Sequence, residues 1–260
     1  MAFVFTWTWL KLKRFLGNRR EILTMDFVIT NTNIVRVTAD AIVLPANQKL
    51  KEGPGCSRAI FSAAGRKELK QACDKYGHCD MGSAVVTLAY NLDADYIIHA
   101  VVPKWVDGRH NEYQLLSTAY LTALAYADVM KCRSIAFPLL ASGHNGFNPE
   151  FSLRIAIDSF KAFKGKNLKT IILVIYGDEA VRIVRKKGLK TVVLPVNLQA
   201  DKNRWKDKKR EELKRNNKMY QFLQNEIDVA MNLMKDPEVV KKLIFDGTEI
   251  VKMILESKKG

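Results

Sequence analysis

No apolar run in the 260 residues reaches the roughly 18 needed to span a bilayer, so nothing marks a transmembrane helix. Cysteine is scarce and unpatterned: Cys56, Cys73, Cys79 and Cys132 show no C-x-x-C spacing, which excludes the common zinc ribbons and a redox dithiol. Cys73, His78 and Cys79 lie close in sequence, but a trio without a fourth ligand does not define a metal site, and no metal or cofactor is expected. Free thiols point to a reducing cytoplasm. Acidic residues are few, 27 against 42 Lys plus Arg, a net charge of +15 that favours anionic partners. That excess is uneven: residues 1–24 carry +4, residues 25–189 carry +6 and residues 190–260 carry +5. With no basic-aromatic motif accompanying it, no specific nucleic-acid recognition is expected.

What is present is a hydrophobic content of 48%, enough for a sizeable core. Residues 1–24 are aromatic in front and basic behind, the reverse of a secretory signal, and are read as an N-terminal extension. From Asp26 the pattern is regular. FVITNTNIVRV reads as strand, turn and further strand, and AIVL as the next strand. AVVTL and YIIHAVV follow, the second continuously apolar and therefore central in a sheet covered on both faces. NEYQLLSTAYLTALAYADVMK is a long helix, IAFPLL and TIILVIYG are strands, and TVVLPV is an expected edge strand. Alternation of strands and helices predicts an α/β three-layer domain over residues 25–197. Residues 198–260 read as a C-terminal helical hairpin, with Met219, Ile227 and Met234 on one apolar stripe and a second helix from Val239 to Leu255. Its apolar face either packs on the α/β domain or mediates self-association.

Two glycine loops end apolar strands. The stretch Ala41–Gly65 passes from a strand through Asn47, Gly53, Pro54 and Gly55 into a helix. Glycines let main-chain N–H groups approach a ligand, and the helix start adds unpaired donors and the positive end of its dipole, a combination suited to phosphate. The second loop, Ser142, Gly143, His144, Asn145 and Gly146, precedes a helix whose expected N-cap is Asn148 and whose first residue is Pro149. In open α/β sheets ligands bind at such carboxyl ends.

PANQKLKEGPGCSRAIFSAAG, GSAVVTLAYNLDADYIIHAVVPKW and FPLLASGHNGF, in this order, resemble the macrodomain family of ADP-ribose-binding modules over about residues 26–187. The resemblance implies an α/β/α fold with a mixed central sheet and assigns roles by position. Asn47 would hydrogen-bond the distal ribose and serve catalysis. Gly53, Gly55, Cys56 and Ser57 would cradle the ribose and diphosphate, and Ser142, Gly143, His144, Asn145 and Gly146 would grip the diphosphate from the other side. Phe147 would lie against the distal ribose and Tyr176 would stack on adenine. Asn33, beside Ile34, stands where the family usually carries an adenine-binding aspartate, and Ser57 stands where a hydrolysing branch has an aspartate that activates water. Pro54 replaces a loop glycine and removes one N–H. The resemblance therefore implies ADP-ribose or ADP-ribosylated protein as partner. It leaves open an enzyme that hydrolyses the mono-ADP-ribose linkage and a non-catalytic reader, while the basic ends of the chain leave, more distantly, a nucleic-acid-associated protein.

Overall fold

The computed structural model describes residues 26–194 and, near the C-terminus, residues 225, 227–229, 231 and 232. The N-terminal extension and most of the expected helical hairpin lie outside the described residues. Six strands form one sheet: β1 (Asp26–Asn31), β2 (Ala41–Ala46), β3 (Ala84–Leu88), β4 (Tyr96–Val101), β5 (Ser134–Pro138) and β6 (Thr170–Ile175). Their order is β1-β6-β5-β2-β4-β3, parallel throughout except for the antiparallel β3–β4 pair. Five α-helices accompany it: α1 (Cys56–Ala64), α2 (Arg66–Asp74), α3 (Glu112–Val129), α4 (Pro149–Ala162) and α5 (Asp178–Lys186).

The continuously apolar strands are buried on both faces, as parallel strands between helices must be. Alternation along β2 divides the core: Ile42 and Leu44 join Ile60, Phe61 and Leu69 of α1 and α2, whereas Val43 points with β4 and β5 residues toward α3 and α4. This is the mixed α/β/α sandwich expected. His99, wholly buried in β4, sits 2.8 Å from Thr87 Oγ1, and burial pulls its pKa down to about 3, so it is a neutral core residue. Tyr120 of α3 packs tilted against Phe137 and edge-on against Phe160, and its hydroxyl accepts the Leu140 N–H at 2.9 Å, at the start of the second glycine loop. Tyr120→Phe orphans that buried N–H and is expected to cost about 1–3 kcal/mol, measurable by denaturant unfolding.

One expected strand does not form, and the described part of a second, residues 191–194, is not a strand. After β1, the side chain of Asn33 accepts the Val35 N–H at 3.2 Å and caps a 3-10 turn at Ile34–Arg36, a local bond that competes with strand pairing. TVVLPV contributes one main-chain bond to β1, Val192 N–H to Ile29 O at 2.8 Å, but residues 191–194 form no strand. In the C-terminal segment Ile227 is fully buried in the core on the α3 side, and Met231 touches the apolar clusters of both faces.

Candidate functional site

β2 is the point at which the chain order reverses. Its exit loop runs to α1 on one face of the sheet, and the exit loop of the adjacent β5 runs to α4 on the other, so a crevice opens between them. A cavity of about 810 Å³ occupies this crevice.

The first loop is shaped by its own side chains. Asn47 Oδ1 accepts the N–H groups of Lys49 and Lys51 at 3.1 and 3.2 Å, and Asn47 Nδ2 donates to Lys51 O at 2.7 Å. Ser57 Oγ accepts the Gly53 N–H at 3.0 Å, folding the glycine turn back on α1. Gly55, the residue preceding α1, has φ 61° and ψ −122° and offers no side-chain cap, so α1 begins at the cavity lining without one. Glu52 is held by Arg66, with Nε–Oε2 at 2.6 Å. Cys56 lines the cavity, and burial pushes its thiol up to about 12, which keeps it protonated near neutral pH.

The second loop turns at Ala141, whose φ of 61° is left-handed, and closes through Gly146 N–H to Gly143 O at 2.9 Å and Phe147 N–H to Ala141 O at 3.2 Å. Asn148 Oδ1 accepts the Glu150 N–H at 2.8 Å, the expected cap of α4. Asn145 reaches a third loop, between β4 and α3: its Nδ2 donates to Pro103 O at 2.9 Å and its carbonyl accepts the Trp105 N–H at 2.7 Å.

That third loop is organised by Glu112. Its carboxylate, only 2% exposed, accepts N–H groups from Val106, Asp107 and Gly108 on Oε1 at 3.0–3.2 Å and from His110 on Oε2 at 2.7 Å. Burial opposes ionisation, but the backbone donors outweigh it and hold the carboxyl at about 2. Asp107, His110 and Glu112 place one ligand atom each within 4.8 Å of one another. With both oxygens of Glu112 engaged by the main chain, the glutamate acts as a brace for the loop. The trio Cys73, His78 and Cys79 does not come together: His78 pairs with Asp80 at 3.2 Å, and Cys73 Sγ lies 3.8 Å from His99 Nδ1.

Of the residues singled out in the sequence, Asn47, Gly53, Gly55, Cys56, Ser57, Gly143, His144 and Asn145 line the cavity together. Ser142 and Gly146 shape the second loop from outside the lining; Ser142 Oγ donates to Leu139 O at 2.9 Å. Phe147 is buried and meets Trp105 and Tyr113 edge-on at 5.3 and 6.4 Å. Tyr176 follows β6 and is 80% exposed. Asn33 caps its turn beside it, where Thr32 N–H bonds Ile175 O at 3.2 Å, and Ile34 is buried beneath. Met81, His110, Glu112 and Leu115 also line the cavity, and nothing in the sequence singled them out. Among the described residues no helix is long and apolar enough to cross a membrane.

Comparison with known proteins gives a consistent result. The family model described as Macro domain matches residues 43–156. A macro domain-containing protein of Caldanaerobacter subterraneus subsp. tengcongensis is 40% identical over 158 residues, covering 59% of this chain and 90% of that protein. A protein of Escherichia fergusonii named O-acetyl-ADP-ribose deacetylase is 40% identical over 157 residues, covering 58% and 88%. A structure of the Oceanobacillus iheyensis macrodomain with ADP aligns at TM-score 0.60 and 27% identity, covering 65% of this chain and 92% of that one. A Trypanosoma brucei macrodomain in complex with ADP-ribose aligns at 0.57 and 25% identity, covering 62% and 68%.

Proposed function

The chain belongs to the macro domain family, and from that premise we propose that its cleft binds ADP-ribose, free or as a derivative substituted on the distal ribose. The observation that carries this reading is the convergence of two glycine loops and the uncapped start of α1 on one cavity at the ends of β2 and β5. These offer main-chain donors and a positive helix end to a diphosphate. Across the sheet Tyr176 follows β6, the second loop follows β5, the first follows β2 and the third follows β4. Two strand spacings, about 10 Å, then separate the strand that carries Tyr176 from the strand that carries Asn47, with the third loop one spacing further.

Calorimetric titration with ADP-ribose tests the reading: micromolar-range affinity is expected, and absence of binding would sink it. Asn47→Ala removes three hydrogen bonds that hold the turn at residues 47–51 and is expected to weaken binding about tenfold, the equivalent of about 1.4 kcal/mol, because the loop must then be ordered by the ligand.

A second reading, hydrolysis, is favoured by the 40% identity to a relative named O-acetyl-ADP-ribose deacetylase. Substrates would be acyl esters of ADP-ribose or ADP-ribosylated protein. Release of acetate or of ADP-ribose by the purified chain separates an enzyme from a reader. No metal or cofactor is invoked. A cytoplasmic setting agrees with the four free thiols. The burial of Ile227 supports packing of the C-terminal segment on the domain over self-association.

A further inference from the structure

The cavity has no group at Ser57 able to take a proton from water, and its two carboxylates are committed elsewhere. The Ser57 hydroxyl accepts from Gly53, Glu52 is paired with Arg66, and both oxygens of Glu112 hold the third loop. Two histidines remain in the lining, His110 on the third loop and His144 on the second. They differ in support. His110 Nδ1 lies 3.0 Å from Asp107 Oδ1, that oxygen also accepts the Arg109 N–H at 2.9 Å, and the His110 N–H is fixed to Glu112 Oε2 at 2.7 Å. No carboxylate pairs with His144 among the described residues. Nδ1–H donation to Asp107 leaves Nε2 as the free acceptor, the arrangement by which a carboxylate fixes the tautomer of a base.

We propose that His110, held by Asp107, is the general base of this cleft and acts on an acyl ester carried by the distal ribose of ADP-ribose. This rests on the hydrolytic reading above. His110 follows β4, the strand next to β2 on the side away from β5 and β6, and lines the cavity together with Asn47, so in the binding mode proposed above it belongs to the distal-ribose end. Met81, Val106 and Leu115 line the same cavity from the loops and helix around it and offer an apolar wall to an acyl chain. Charged or titratable groups near the imidazole are Asp107, Glu112 with Oε1 at 4.0 Å, and Lys104 and His144 in the shared lining. Water attacks the acyl carbonyl carbon as Nε2 takes its proton. The tetrahedral adduct collapses, the bond between acyl carbon and ribose oxygen breaks, and the leaving oxygen recovers the proton from His110. One water is consumed, and a carboxylic acid and ADP-ribose are released.

The test uses the full chain with O-acetyl-ADP-ribose as substrate and ADP-ribose as binding probe. H110Q is expected to lower kcat by about 100-fold or more while the ADP-ribose Kd stays within about twofold. D107N is expected to lower kcat by roughly tenfold with KM unchanged, the signature of a positioning residue. H110A should regain activity when free imidazole is added, which a structural role would not produce. Wild-type kcat in H110Q, or a larger loss in H144Q than in H110Q, overturns the proposal. ADP-ribose binding without turnover by the unaltered chain overturns it too and leaves the binding function standing, whereas absence of binding removes both.

Discussion

Gly55→Val is expected to weaken ADP-ribose binding about 100-fold or more, the largest effect of any single change in the first loop. At φ 61° and ψ −122° Gly55 occupies a region that side-chain-bearing residues avoid. Forcing valine into it costs about 1–3 kcal/mol, or turns the peptide away and with it the N–H groups that begin α1. The added Cβ meets no protein atom within 4 Å, so the side chain extends into open space at a position lining the cavity. Gly143 separates the two effects: its φ is not left-handed, and its added Cβ also meets nothing within 4 Å. Gly143→Val is therefore expected to keep the parent melting temperature and lose affinity by occupying the cleft, whereas Gly55→Val loses both. Unchanged affinity in Gly55→Val would show that the ligand does not approach the start of α1.

The strands were legible because burial on both faces leaves a simple signature, as in YIIHAV of β4 and TIILVI of β6, where nearly every residue is apolar. The glycine loops were legible because turn residues interrupt strand-to-helix transitions at a place where open sheets bind ligands. The segments misread as strands have particular causes. Ile34 and Val35 are β-branched, but the Asn33 side chain supplies a nearer partner for the backbone. Thr191–Leu194 lies beside β1 yet makes too few bonds to form a strand.

The third loop shows what pattern alone does not reveal. An acidic residue opening a helix reads as ordinary dipole compensation, and Glu112 occupies that position. Its role emerges only when four main-chain N–H groups, of Val106, Asp107, Gly108 and His110, converge on one carboxylate. Asp107 and His110, three residues apart in an irregular loop, meet only because that brace fixes the backbone between them.

Glu112→Gln should therefore reduce ester hydrolysis to about the level of H110Q, a loss on the order of 100-fold, though the glutamine itself reaches no substrate. An amide offers one acceptor oxygen and turns an NH2 toward main-chain donors, so N–H groups at Val106, Asp107, Gly108 or His110 are left unpaired. Imidazole should restore H110A but not Glu112→Gln, because in the latter the base is present and the loop that aims it is not. The pH dependence has a definite sign. The Glu112 carboxyl is held at about 2, below its ordinary 4.5, so its stabilising contribution is full above pH 4.5 and is lost as pH falls through about 2. The difference in melting temperature between the parent and Glu112→Gln should then be constant from neutrality to about pH 5, narrow below it and close near pH 2. A gap that stays constant down to pH 3 would mean that the charge on Glu112 does not hold the loop, and the positioning of His110 would need another cause.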